Sequence, residues 1–356
     1  MTEFPDQRLR TVLERAVRER TVPGVALAFG VRDRVVGQLV LGAAELAPDG
    51  DVPLTADTLF DLASLTKVTA TAPAVLALHD GGSLSLDDPL VRYVPDFRGP
   101  GREAVRLRHL LTHTAGLLGS RRFYLSCTTP AELRTAVVTE PLVGAPGRQV
   151  GYSDLGFLLL GWVVEAVTGL PLDEACAALL YEPLGLAHTT YRPAGRLPDV
   201  RTATTTEPGA TPAPGAPHDR NARLAGGVAG HAGLFSTLGD VARYAAWWAG
   251  TDRGPVTPAT RAEAMRCSTR GLDGRRGHGW ATRGDTVDFL DDAWSGAAVT
   301  HTGFTGTSLA IDPERGWWLC LLTSAVHLGR DRPEVADLRA RAHRMAARVL
   351  AAADAA

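Results

Sequence analysis

The sequence predicts an α/β protein: an antiparallel sheet assembled from both chain ends, flanked by N- and C-terminal helices, with a mostly helical region inserted between its halves. Three observations predict it. Each end carries two short β-type runs joined by a tight polar turn. Helical periodicity precedes the first pair and follows the second. The long middle section is dominated by helical spacing.

Residues 6–20 space Leu9, Val12, Leu13, Ala16 and Val17 among charges at helical intervals, and Pro23-Gly24 ends the pattern. Residues 25–31 read as a strand, Arg32-Asp33-Arg34 as a turn and residues 35–41 as a second strand, which makes an antiparallel hairpin. Residues 65–79 form one helix, with a kink expected at Pro73 and a stop at Gly81-Gly82. Shorter helices are predicted over 107–111, 130–138, 155–168 and 240–248, the last opening beside Asp240 as a candidate cap. Residues 192–233, rich in Pro, Gly, Ala and Thr, are too long for an ordinary connection and predict a loop that is either folded down over a functional surface or mobile. Residues 308–311 and 317–322 are strands around the turn Asp312-Pro313-Glu314-Arg315-Gly316, and 333–353 is an Ala/Arg/Leu-rich terminal helix.

The 356 residues are 45% hydrophobic, enough for a large core, and the formal charge of −2 is spread among interspersed acids and bases. No basic stripe with interleaved aromatics is present, so nucleic acid is not an expected partner. No polybasic anchor and no run of ~18 apolar residues marks a membrane. The first twenty residues are charged throughout and lack the apolar core of a signal peptide, and Cys127, Cys176, Cys267 and Cys320 lie far apart, so buried free thiols and a cytoplasmic protein are expected.

Lysine and arginine together number 37, yet Lys67 is the only lysine. A surface cation tolerates replacement of lysine by arginine; a position that must lose and regain a proton does not. Ser64 lies three residues earlier, near the start of the predicted helix, so the two share a face. An amine neutralised by burial can take the serine proton, and the helix N-terminus can face a developing oxyanion. The plain alternative is a capping serine with a solvated lysine. Gly151-Tyr152-Ser153-Asp154 precedes an apolar helix, so Tyr152 can present its hydroxyl to a cleft and Asp154 can cap the helix. His301-Thr302-Gly303 precedes the strand at 308–311. His301 can hydrogen-bond a substrate or, when protonated, hold an anion, and Gly303 permits close backbone approach.

Ser-Leu-Thr-Lys, Tyr-Ser-Asp and His-Thr-Gly, in this order and at these separations, resemble the three motifs of the serine beta-lactamase and penicillin-binding protein superfamily, in the branch of class C beta-lactamases, D-aminopeptidases, esterases and transacylases. Residues 83–95, 107–116 and 231–237 resemble connecting segments of the same group, and the likeness covers roughly residues 10 to 350. The resemblance implies a beta-lactamase-like fold with a discontinuous sheet domain (1–66 and 235–356), a helical domain (67–234) and the active site between them. It implies Ser64 as nucleophile, Lys67 as general base and Tyr152 as general acid/base. The backbone N–H groups of Ser64 and Phe304 would form the oxyanion hole, with Asp154, His301 and Gly303 binding substrate. The substrate would be a small ester or amide, with an amine acceptor if the acyl group is transferred; no metal or organic cofactor is implied.

Two positions depart from the superfamily pattern. Many members carry asparagine where Asp154 stands; an aspartate pointing inward would keep Lys67 charged. Penicillin-recognising members usually place lysine where His301 stands, so the sequence predicts weak beta-lactamase activity and substrates lacking a carboxylate. The Gly-rich stretch 219–233 is another candidate wall, and whether Asn221 or His231 reaches a ligand stays open. Hydrolase, transacylase and a once-acylated binder or sensor all fit the motifs.

Overall fold

The computed structural model describes residues 4–206, 213–250, 252–329 and 332–354. Helix α1 (Gln7–Arg18) is capped by the Asp6 carboxylate, which accepts the N–H groups of Arg8 and Leu9. Strands β1 (Gly24–Val31), β2 (Arg34–Glu45), β3 (Val52–Pro53) and β4 (Phe60–Asp61) follow. Helix α2 (Ala72–Asp80) and helix α3 (Asp154–Thr168) belong to the inserted region, and β5 (Thr190–Tyr191) and β6 (Leu234–Ser236) close it. The chain then returns through helix α4 (Leu238–Ala249), β7 (Ala281–Thr282), β8 (Val299–Thr302), β9 (Ser308–Asp312), β10 (Trp317–Leu322) and helix α5 (Pro333–Asp354).

Both ends of the chain share one seven-stranded antiparallel sheet, ordered β3-β2-β1-β10-β9-β8-β7. Its centre is the pairing of β1 with β10, with Ala28 opposite Cys320. Alternation along these strands sorts side chains between two cores. Val25, Leu27, Phe29, Leu319 and Leu321 face α1 and α5 with Leu9, Leu13, Leu338 and Leu350. Ala26, Ala28, Trp318, Cys320 and Leu322 face the opposite core with Tyr244, Trp248 and the inserted helices. Every residue of β1 is buried because both faces of the sheet are covered. Among the described residues no single helix is long and apolar enough to cross a bilayer.

The predicted terminal hairpins and helices are present, and several details differ. The helix expected over 65–79 is a 3₁₀ turn (Ala63–Leu65), a π turn (Lys67–Thr71) and α2. Pro73 sits in the first turn of α2, where its missing N–H costs least, so the π turn replaces a sharp kink. Thr237, not Asp240, caps α4, and Ser153, not Asp154, caps α3 through a bond from the Gly156 N–H. The described parts of the 192–233 segment are folded down: Leu59 bridges Thr202, and Arg220–Leu224 forms a short helix capped by Asp219. Residues 207–212 of that segment lie outside the described residues. Cys127, Cys176 and Cys320 are buried free thiols as expected, whereas Cys267 is half-buried.

A second, three-stranded sheet in the order β4-β6-β5 ties the inserted region to the segment leading into Ser64. Gly230, just before β6, packs its backbone onto α3, and its carbonyl accepts the Thr71 hydroxyl at 2.6 Å. A Cβ at Gly230 would lie 2.0 Å from the Phe157 carbonyl oxygen, backbone that cannot give way. Gly230→Ala is expected to lower stability by about 1–3 kcal/mol in urea unfolding; an unchanged midpoint would show that this contact does not hold the inserted region to α3.

Candidate active site

Ser64 is positioned by bonds that converge on the three residues before it. The Asp61 carboxylate accepts the Ala63 N–H at 2.9 Å and the His218 N–H at 2.7 Å. The Asp61 carbonyl accepts the Thr305 hydroxyl at 2.8 Å, and the Leu62 carbonyl accepts that of Thr307 at 3.2 Å. Ala63 is held at φ +48°, a left-handed conformation that side chains rarely adopt. Burial pushes the Asp61 carboxyl up to about 6, against the downward pull of its two backbone donors.

Gly303 lies against this segment. A Cβ there would stand 2.1 Å from the Thr307 hydroxyl and 2.5 Å from the Leu62 carbonyl oxygen. The turn from β8 to β9 therefore docks on the Ser64 segment only because residue 303 lacks a side chain. Ser64, Gly303 and Phe304 consequently share one wall of a cavity of about 500 Å³. The Phe304 ring stands at the rim, stacked on His218 with centroids 5.4 Å apart.

Lys67 is wholly buried. Its Nζ donates to Ser64 Oγ at 3.1 Å and to the His231 carbonyl at 3.0 Å, and forms an ion pair with Asp154 Oδ1 at 2.7 Å. Two hydrogen-bond acceptors and one carboxylate counter-charge thus face the Lys67 amine. Burial alone would depress the Lys67 pKa, but the Asp154 carboxylate, with a smaller contribution from Tyr152, outweighs it and holds the pKa above the ordinary lysine value. Asp154 points inward, the arrangement in which the sequence expects it to favour the charged form of Lys67.

Tyr152 is 37% exposed on the cavity wall, and Lys67 Nζ lies 5.0 Å from its ring centroid. His113 supports it from behind. Their ring centroids are 4.6 Å apart, and His113 Nδ1 accepts the Ser153 N–H at 3.0 Å. His301 also lines the cavity, with its ring centroid 6.2 Å from that of Tyr152. Burial, reinforced by the charges of Lys67 and Arg276, lowers the His301 pKa to about 3, so this imidazole is neutral at physiological pH. It is not an anion-binding cation. Cations nevertheless line the same cavity: Arg276, Arg332 and Arg339. Arg276 pairs with Asp285 at 3.1 Å, whereas burial alone acts on Arg339, pulling its pKa down to about 10.

The structure thus gathers Ser64, Lys67, Tyr152, Asp154, His301, Gly303 and Phe304 at one site. Asn221 points elsewhere: its amide accepts the Tyr124 N–H at 3.2 Å and donates to the Arg121 carbonyl at 2.8 Å. His231 contributes its carbonyl to Lys67, while its ring pairs with Asp219 at 2.9 Å. Sequence reasoning missed His113, Thr305, Thr307 and the three arginines. His113, Thr305 and Thr307 adjoin the recognised motifs; nothing local marks the arginines, which come from distant segments.

Comparison with known proteins bears on the family and the fold. The family described as Beta-lactamase matches residues 9–344. A relative from Escherichia coli (strain K12), described as a "Putative D-alanyl-D-alanine carboxypeptidase", is 32% identical over 343 residues, covering 86% of this chain and 79% of the relative. Two solved structures share the fold. EstCE1, described as a hydrolase with promiscuous acyltransferase activity, is 23% identical with a TM-score of 0.73, covering 93% of this chain and 97% of that one. Simvastatin synthase (LovD) from Aspergillus terreus is 22% identical with a TM-score of 0.75, covering 98% and 99%.

Buried histidines fix how stability responds to acid. His113, His278, His301 and His343 are each held neutral chiefly by burial, and His109 is shifted the same way. Below the ordinary histidine pKa of about 6.5 the unfolded chain binds protons that the fold refuses, so stability falls as pH falls. Asp61 and Glu165, both raised by burial, act in the opposite direction, but the five histidines outnumber them, and Asp219 and Asp88, held low, add to the histidine effect at more acidic pH. The unfolding temperature is expected to be lower at pH 5 than at pH 7; a rise on acidification would contradict these assignments.

Proposed function

We propose, from the premise that this chain belongs to the beta-lactamase family, that it is a serine acyl-enzyme hydrolase of small esters or amides with Ser64 as nucleophile. The observation that carries the proposal is the sole lysine of the sequence, buried and bonded to Ser64 Oγ. In this reading Lys67 is the ammonium that Asp154 favours and donates to Ser64 Oγ, so the serine proton is taken elsewhere. Tyr152, which lines the same cavity, would receive it as a phenolate and return it to the leaving group. Attack by Oγ on the substrate carbonyl forms the acyl-enzyme and expels an alcohol or amine. The backbone N–H groups of Ser64 and Phe304 would stabilise the oxyanion, and water then releases the acid. Lys67 contributes a fixed positive charge beside the developing negative charge.

Acyl transfer to an amine or alcohol is the second reading. The cavity wall of Ala281, Val287, Phe304, Ala325, Val326 and Val335 favours it, because it offers an organic acceptor apolar contact that water does not use. The solved hydrolase with promiscuous acyltransferase activity supports the same possibility. As to the substrate, neutral His301 does not by itself disfavour a carboxylate, since Arg276, Arg332 and Arg339 place guanidinium charge in the cavity.

Intact-protein mass spectrometry after exposure to a fluorophosphonate is expected to show one adduct, mapped to Ser64 and absent from Ser64→Ala. With an activated ester, rapid loss of the acyl adduct in water supports hydrolysis, and loss only with added amine supports transfer. A folded protein that never labels at Ser64 overturns the reading. Asp154→Asn separates the two roles open to Lys67. If the ammonium is required, losing the carboxylate lets its pKa fall and moves the alkaline limb of the acylation rate to lower pH. A faster rate at neutral pH would instead identify the free amine as the base.

A further inference from the structure

The short segment that carries Tyr152 is fastened on both sides by one residue. The His113 carbonyl accepts the Gly151 N–H at 2.8 Å, and His113 Nδ1 accepts the Ser153 N–H at 3.0 Å. Between these two bonds the His113 and Tyr152 rings pack together, tilted by 34° with centroids 4.6 Å apart. The His113 ring also meets Phe157 of α3, with centroids 5.2 Å apart. Ser153 caps α3 and Asp154 follows it, so the same clamp sets the carboxylate that pairs with Lys67.

Local geometry does not favour histidine at this position. His113 lies two residues past the short helix Leu107–Leu111, at φ +57°. A helix that ends on a left-handed residue ordinarily does so on glycine and less often on asparagine. A bulky side chain in that conformation carries strain. The Nε2 atom is buried without a hydrogen-bond partner among the described residues, which is a second cost. Glycine or asparagine would avoid both costs. Glycine, however, offers no acceptor to Ser153, and neither residue offers a ring to Tyr152.

We propose that His113 is a positioning residue for proton transfer at Ser64: its acceptor nitrogen, its carbonyl and its ring together hold the Tyr152 phenol in the cavity. The inference rests on the reading of Tyr152 as the group that takes the serine proton. His113 does not itself line the cavity, so it acts through Tyr152 and not on substrate. The bond from Ser153 requires a bare Nδ1, hence a neutral ring with its hydrogen on Nε2. Burial, reinforced by the charges of Arg276 and Lys67, keeps the ring neutral.

The test compares His113→Gly and His113→Asn in the whole protein. Both replacements accept the left-handed backbone. Asparagine carries Oδ1 on Cγ where histidine carries Nδ1, so it keeps the acceptor and loses the ring. Amide hydrogen exchange in the peptide covering 150–155 is expected to quicken in His113→Gly and to return toward wild type in His113→Asn. Fluorophosphonate labelling of Ser64 is expected to slow about tenfold or more in His113→Gly, and to recover in part in His113→Asn, with thermal unfolding confirming that both variants fold. In a Tyr152→Phe background His113→Gly is expected to add almost no further loss, because a phenyl ring has no proton to pass. A purely structural role would slow wild type and Tyr152→Phe by the same factor. Exchange or labelling unchanged by His113→Gly, an asparagine variant no faster than the glycine one, or losses that multiply in the double variant would each overturn the proposal and leave the hydrolase reading standing. Tyr152→Phe labelling as fast as wild type, or no labelling of Ser64 at all, would instead overturn that reading, and the role of His113 with it.

Discussion

An ammonium group with no solvent contact must find its acceptors and its counter-charge inside the protein, and Lys67 finds them on three separate segments. Ser64 comes from the same helical run, Asp154 from the start of α3, and the His231 carbonyl from the loop before β6. Breaking such a set leaves an uncompensated buried charge, at a typical cost of 3–5 kcal/mol. The segments that meet at Lys67 are therefore held by electrostatics as well as by packing. The π turn over Lys67–Thr71 and the contact of Gly230 with α3 are the local adjustments that let them meet.

The second constraint is the docking of the β8–β9 turn on the residues before Ser64. Thr305 and Thr307 satisfy the Asp61 and Leu62 carbonyls, and Gly303 permits the approach. The Ser64 backbone is thus braced by chain more than two hundred residues away, and Ala63 is kept in a conformation it would not hold alone.

Much of this was legible in the sequence. The terminal strands are short apolar runs between turn residues, and alternation on both faces of β1 and β10 follows from their period of two. The lone lysine three residues after Ser64 marked the chemical centre because every other basic side chain of the Lys/Arg type is arginine. Less was legible where short strands carry weak patterns: β4, β5 and β6 are two or three residues each, and they are strands only because partners lie beside them. Capping was misplaced by one to three residues at α3 and α4, because Asp, Ser and Thr compete for the same role and backbone geometry chooses among them.

By itself the sequence determined the fold class, the family likeness and which side chains could do chemistry, since residue type and spacing are local properties. Tertiary structure alone decided the protonation state of that chemistry and the company it keeps. Asp154 turns inward and favours a charged Lys67, His301 is held neutral by burial near other cations, and arginines from distant segments enter the cavity. Each of these is a balance between desolvation and the charges within a few ångströms, and that distance exists only once the chain has folded.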